Sequence, residues 1–166
     1  MKKNKGFSLV ELIIVIAIMA ILAAAIAPAL IRYIDKSRKA DDVAAAETVN
    51  TAVQTSMSNE DAYDNIMKSM NGTILLSAAE DTAFPTTDYA DFAKEVNSNM
   101  GGKTPKLKYH KTLTEEGSFM PGGWAVAISN SKPVVYITDG SDLKGKTSVA
   151  TSEGVQVQPS ISKDYK

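Results

Sequence analysis

From Leu12 to Ile31 the chain runs for twenty residues without a charge. A helix of that length spans ~30 Å, the thickness of a bilayer's hydrocarbon core. Lys2, Lys3 and Lys5 precede the run, and Arg32, Lys36, Arg38 and Lys39 follow it. One residue does not suit a simple membrane span. Glu11 sits at the start of the apolar stretch, where an isolated carboxylate is costly. An ordinary secretory signal peptide is the rival reading, with the three lysines as its basic start. It fits poorly. Signal cores are shorter, a glutamate inside one is unusual, and cleavage after Ala25-Ile26-Ala27 would leave Pro28 beside the cut; Ala23-Ala24-Ala25 is the better candidate. Basic residues on both sides leave the orientation open by charge count.

The residues "GFSLVEL", Gly6 to Leu12, follow the basic leader directly and open the apolar run. This arrangement resembles the class III signal of type IV prepilins and related pseudopilins. The absence of cysteine brings it nearer the type IV pilins of Gram-positive bacteria. The resemblance implies a leader of residues 1–6, cut by a prepilin peptidase between Gly6 and Phe7, with Phe7 then N-methylated. It also implies a cytoplasmic leader and an outward C-terminal part. A glycine before the cut leaves no side chain to obstruct the scissile bond. Phe7 and Glu11 are four residues apart, a spacing that shares a helix face. In the related filaments this glutamate is thought to neutralise the N-terminal amine of a neighbouring subunit. Either charge left alone in an apolar bundle would cost several kcal/mol. The plain alternative is a carboxylate reaching the membrane interface. Pro28 lacks an N–H and crowds the carbonyl of Ala24, so a bend or loosening across 24–28 is expected.

Beyond Arg32, Val43, Ala46, Val49, Val53 and Met57 recur at three- and four-residue steps, an apolar helix face. Asp41, Asp42, Glu47, Asn50 and Gln54 fall on other faces. The helix should therefore run from about residue 7 to about 57. Residues 58–166 should supply a globular head that covers its outer half. Asp61–Met70 reads as a short helix stopped by Asn71-Gly72. A second, "DYADFAKEVNSNM", would be capped by Thr87 or Asp88, present Tyr89, Phe92 and Val96 on one face, and stop at Gly101-Gly102. "KLKYH", "WAVAIS", "PVVYIT" and "VQVQ" read as strands separated by Gly and Pro. The expected fold class is α+β, a long N-terminal helix packed on a small antiparallel sheet.

No catalytic constellation is present. With no cysteine, disulfides and thiolate chemistry are excluded. His110 is the single histidine, which argues against a triad or a histidine-rich metal site. No phosphate-loop or dinucleotide motif occurs. Nothing calls for a cofactor or a metal. Asp139 and Asp142 in "TDGSDLKG" suit a turn better than a calcium loop. The pairs Asp41-Asp42, Glu80-Asp81 and Glu115-Glu116 read as solvated surface charge. Residues 41–95 hold eleven acids against two lysines, and residues 96–166 nine lysines against six acids. "KTPKLKYHK" could bind single-stranded nucleic acid through lysines and Tyr109, but a lysine-protected edge strand is the favoured reading.

The sequence thus reads as a type IV pilin and not an enzyme: a membrane precursor, single-pass, that becomes an extracellular helical homopolymer for adhesion, aggregation or twitching motility. Its partners would be other copies of itself, the peptidase, the inner-membrane assembly machinery and, before assembly, the bilayer. The alternative is a pseudopilin of a type II secretion or competence DNA-uptake machine. A membrane-tethered enzyme or binding protein finds no supporting residues.

Overall fold

The computed structural model describes residues 6–68, 74–87, 89–116, 118–144, 146 and 148–166. Lys2, Lys3 and Lys5 lie outside the described residues. Helix α1 spans Leu9–Met57, ending where the apolar periodicity does. Helix α2 is Glu60–Lys68, and the Asn71-Gly72 stop expected for it lies outside the described residues. Strand β1 is Ile74–Ala79, helix α3 Ala90–Asn99, β2 Gly123–Ser129, β3 Lys132–Thr138 and β4 Gly154–Gln158. A 3-10 turn, Lys163–Tyr165, follows. The four strands form one antiparallel sheet in the order β1-β2-β3-β4. The α+β expectation is met. Contacts divide the chain into two compact units, one ending at Ser37 and one covering Arg38–Lys166.

Within the second unit, the α1 residues Ala46, Val49 and Val53 share a core with one face of the sheet. That face carries Ile74, Leu76 and Ala78 of β1, Trp124, Val126 and Ile128 of β2, and Val135 and Ile137 of β3. Period-two alternation places them together. Trp124 is fully buried and donates its indole N–H to the carbonyl of Pro105 at 2.7 Å. The opposite face carries small residues: Ser77, Ala125 and Ala127 are also buried there. Leu143 covers this side, its N–H donating to Ser77 Oγ at 3.0 Å. Gly123 is forced by proximity, because a Cβ there would lie 2.5 Å from the carbonyl oxygen of Ala78 and 2.6 Å from Cα of Gly140.

Helix α3 buries Phe92 and Val96 and half-buries Tyr89, as its spacing predicts. It ends at Gly101 and Gly102, whose φ values of 76° and 97° suit glycine. Its N-cap is Tyr89, without a side-chain cap, so Thr87 does not fill that position; Asp88 lies outside the described residues. Asn97 clamps the preceding loop instead, exchanging two 2.9 Å hydrogen bonds with the backbone of Phe84. Helix α2 is capped by Asn59, whose Oδ1 accepts from the N–H of Ala62 at 3.2 Å.

Two expectations are corrected. "KLKYH" is not a strand, and the fourth strand is Ile74–Ala79. Asp42 is not solvated: it has no exposed surface and lies on the buried stripe of α1. Helix α1 continues through Ala24–Pro28 with Pro28 inside it, so a bend or loosening at this point does not end the helix. One missing hydrogen bond is absorbed there by flanking alanines, the strongest helix formers.

Candidate processing and assembly site

The first turn of α1 is shaped by Ser8 and Glu11. The Ser8 N–H donates to Glu11 Oε2 at 2.9 Å, and the Ser8 carbonyl accepts from the Leu12 N–H at 3.3 Å. This is one arm of a capping box, S-x-x-E. The carboxylate also complements the positive end of the helix dipole. Glu11 therefore has a partner inside its own chain, which the S-x-x-E spacing in the sequence could have indicated. Phe7 precedes the helix and is 86% exposed, so it does not share a helix face with Glu11. Gly6 stands in open space: a Cβ added there would meet nothing within 4 Å. Nothing in the surrounding fold demands glycine at that position.

From Leu9 to Ile31 the apolar side chains of α1 lie open on every side. Leu9, Met19, Ile21 and Ile26 are all at least 60% exposed. The most apolar stretch of the helix, with a mean hydropathy of 3.0, has none of its residues buried within the chain. A helix apolar all round belongs in lipid or inside an assembly. Near its end, Arg32 Nε lies 3.4 Å from the Pro28 carbonyl oxygen.

In the second unit, three carboxylates hold the segment 104–116, which has no sheet partner. Glu80 Oε2 accepts from the Leu107 N–H at 2.6 Å. Asp42 Oδ1 accepts from the Lys108 N–H at 2.6 Å, and Oδ2 from the Tyr109 N–H at 3.1 Å. Asp164 accepts from Thr114 at 3.2 Å and from Glu115 and Glu116 at 2.8 Å each. These bonds replace a strand ladder, which is why "KLKYH" alternates without being a strand. Burial pushes the Asp42 carboxyl above its ordinary range, and the two N–H donors pull it part of the way back. Tyr109 is buried edge-on to Tyr165, ring centroids 6.3 Å apart, so it offers no exposed ring for stacking on a base. Burial, then the nearby Asp42, raises the Tyr165 phenol as well. Asp139 and Asp142 each accept from a backbone N–H two residues on, the geometry of Asx turns.

The family model for the prokaryotic N-terminal methylation motif matches residues 1–27, the stretch that contains Gly6, Phe7 and Glu11. The chain is also 31% identical over 152 residues to a type IV major alpha-pilin of Moraxella bovis, covering 82% of this chain and 92% of that one. This chain belongs to the type IV pilin family. No solved structure matches this pilin. The family is structural rather than enzymatic. The long apolar helix followed by a four-stranded head is thus a pilin-like subunit, and its N-terminal half is suited to a membrane-anchored precursor.

Proposed function

We propose that this pilin is made as a single-pass membrane precursor and polymerises, after processing, into a surface filament. A prepilin peptidase removes residues 1–6, cutting between Gly6 and Phe7 on the cytoplasmic side, and the new Phe7 amine is methylated. The mature helix leaves the bilayer through an inner-membrane assembly machinery and packs among the same helices of other copies. The filament then serves adhesion, aggregation or twitching motility. The observation that carries this reading is the apolar half of α1, which none of the described residues covers. Lipid covers it in the precursor and neighbouring copies cover it in the polymer. The open surroundings of Gly6 support the cut, since the demand for glycine is then the peptidase's. Glu11 exchanges its bond to the Ser8 N–H for the methylated amine of a neighbour, which fixes axial register. Pro28 marks the point where the helix can loosen during that transfer.

The test joins N-terminal sequencing of the mature protein with electron microscopy of sheared surface filaments. The expected results are a chain that starts at Phe7 and filaments that vanish when the gene is deleted. A chain starting at Met1, or near Ile26, overturns the processing. Loss of secretion or DNA uptake on deletion, with no filaments in the wild type, assigns the chain to a pseudopilus instead.

A further inference from the structure

The lysine-rich segment "KTPKLKYHK" is fixed against one place on α1. Asp42 takes the backbone N–H groups of Lys108 and Tyr109, and Lys39 Nζ lies 4.8 Å from the centroid of the Tyr109 ring. Burial alternates along the segment. Leu107 and Tyr109 face the core, so Lys106 and Lys108 face solvent. Arg38 is also exposed, one turn before Asp42 on the same helix. The acids in the neighbourhood are partly committed. Asp42 and Glu80 hold backbone N–H groups, Glu80 also faces His110 at 3.8 Å, and Asp81 is paired with Lys103 at 3.7 Å. Asp41 is the exposed exception. Arg38, Lys39, Lys106 and Lys108 therefore form a basic surface on a frame of buried bonds.

We propose that this surface docks on the anionic phospholipid headgroups of the membrane that holds the pilin's own apolar helix. The proposal rests on the membrane-precursor reading above. Chain length supports it: Arg38 lies seven residue steps beyond Ile31. A helix covers that in ~10 Å, and even a fully extended chain in at most ~25 Å. The patch is thus tethered within a few screening lengths of ~10 Å from the bilayer surface. Each lysine held at an anionic surface favours the docked state by roughly fivefold. Single-stranded nucleic acid is disfavoured as an occupant because Tyr109 is buried. Docking would hold the head at the bilayer until the subunit is extracted.

Because the chain has no cysteine, Thr112→Cys gives one labelling site on the exposed side of this segment. The full chain carrying a donor dye there is reconstituted into vesicles of phosphatidylcholine alone or mixed with phosphatidylglycerol, with an acceptor on the headgroups. Co-flotation with phosphatidylcholine vesicles checks the anchor separately. The expected result is greater energy transfer in the anionic vesicles, falling with added salt. In Lys106→Glu/Lys108→Glu it returns to the neutral-lipid value, a loss of more than about twenty-fivefold in the docked-to-free ratio. Lys106→Gln/Lys108→Gln should lie between, with circular dichroism and Trp124 fluorescence reporting an intact head in both. Equal transfer in the two lipids from a chain that floats overturns the docking and leaves the membrane reading standing. Transfer that instead appears between donor- and acceptor-labelled copies, regardless of lipid charge, assigns the surface to a second copy and overturns it too. Failure to float with any vesicle removes the anchor and the proposal with it.

Discussion

Glu11 has a partner in the isolated chain, the Ser8 N–H, and a different one in the proposed filament, the Phe7 amine of a neighbour. The two roles separate by substitution. Gln at this position of a capping box can still accept from the N-cap N–H, whereas Ala cannot. Glu11→Gln should keep the first turn of α1 but lose the charge, so sheared filament relative to total subunit should fall as far as in Glu11→Ala. Membrane insertion should be unchanged or improved in both, because a carboxylate leaves the apolar stretch. Wild-type filament yield in Glu11→Gln would reduce the residue to a cap. Gly6 gives a complementary test. Its surroundings leave room for a large side chain, so Gly6→Trp should not disturb the fold. It should nevertheless block the cut, and intact mass would show the uncleaved precursor held in the membrane.

The segment 104–116 depends on carboxylates where a strand would depend on a ladder. Asp42→Ala leaves two partly or fully buried N–H groups without acceptors and should cost about 2–4 kcal/mol of head stability. Asp42→Asn should cost less, since burial already favours the uncharged form of this side chain. The sign of the pH dependence follows from the same shift. A carboxyl raised in the folded state binds its proton more tightly there than in the unfolded chain. Its contribution therefore favours folding progressively as pH falls through the raised value towards 3.8, and is flat outside that window. Unfolding of the full chain in detergent, wild type against Asp42→Asn, should show the difference between them changing only across that interval; the opposite slope would contradict the assignment. These long-range bonds also explain where the sequence was opaque. Periodicity exposed α1, α3 and strands β2 to β4, because each alternates or repeats against a core. It missed β1, where Leu76, Ser77 and Ala78 are buried in succession because both sheet faces are covered. It mistook "KLKYH" for a strand, because alternation records which side is buried and not what receives the backbone bonds. Asp42 was hidden for the same reason: its donors lie 66 and 67 residues away. Gly6, Phe7 and Glu11 could be singled out because their motif is contiguous, and Pro28 because it stands inside the apolar run, although the cap made by Ser8 was overlooked.

At the scale of the molecule, the division at Ser37 predicts what can be cut away. A chain beginning at Arg38 retains Asp42, Ala46, Val49 and Val53 and should be soluble, with a cooperative thermal transition by circular dichroism. A chain beginning at Ser58 loses that buried stripe and should be aggregated or molten, because three fully buried apolar side chains and one carboxylate anchor are gone. Equal stability of the two fragments would show that the outer half of α1 is not part of the head's core. The apolar half has a different consequence. In the proposed assembly it passes from lipid tails to the helices of other subunits, from one oil to another. The hydrophobic effect is nearly the same in both and so gives the passage almost no direction. The partition coefficient of a subunit between membrane and filament is then set by close packing and by the charge pair at its tip, and it can lie near unity. Under those conditions modest mechanical work can drive growth, and the same amount reversed can dissolve the filament back into the bilayer one subunit at a time, with no greasy surface exposed to water on the way.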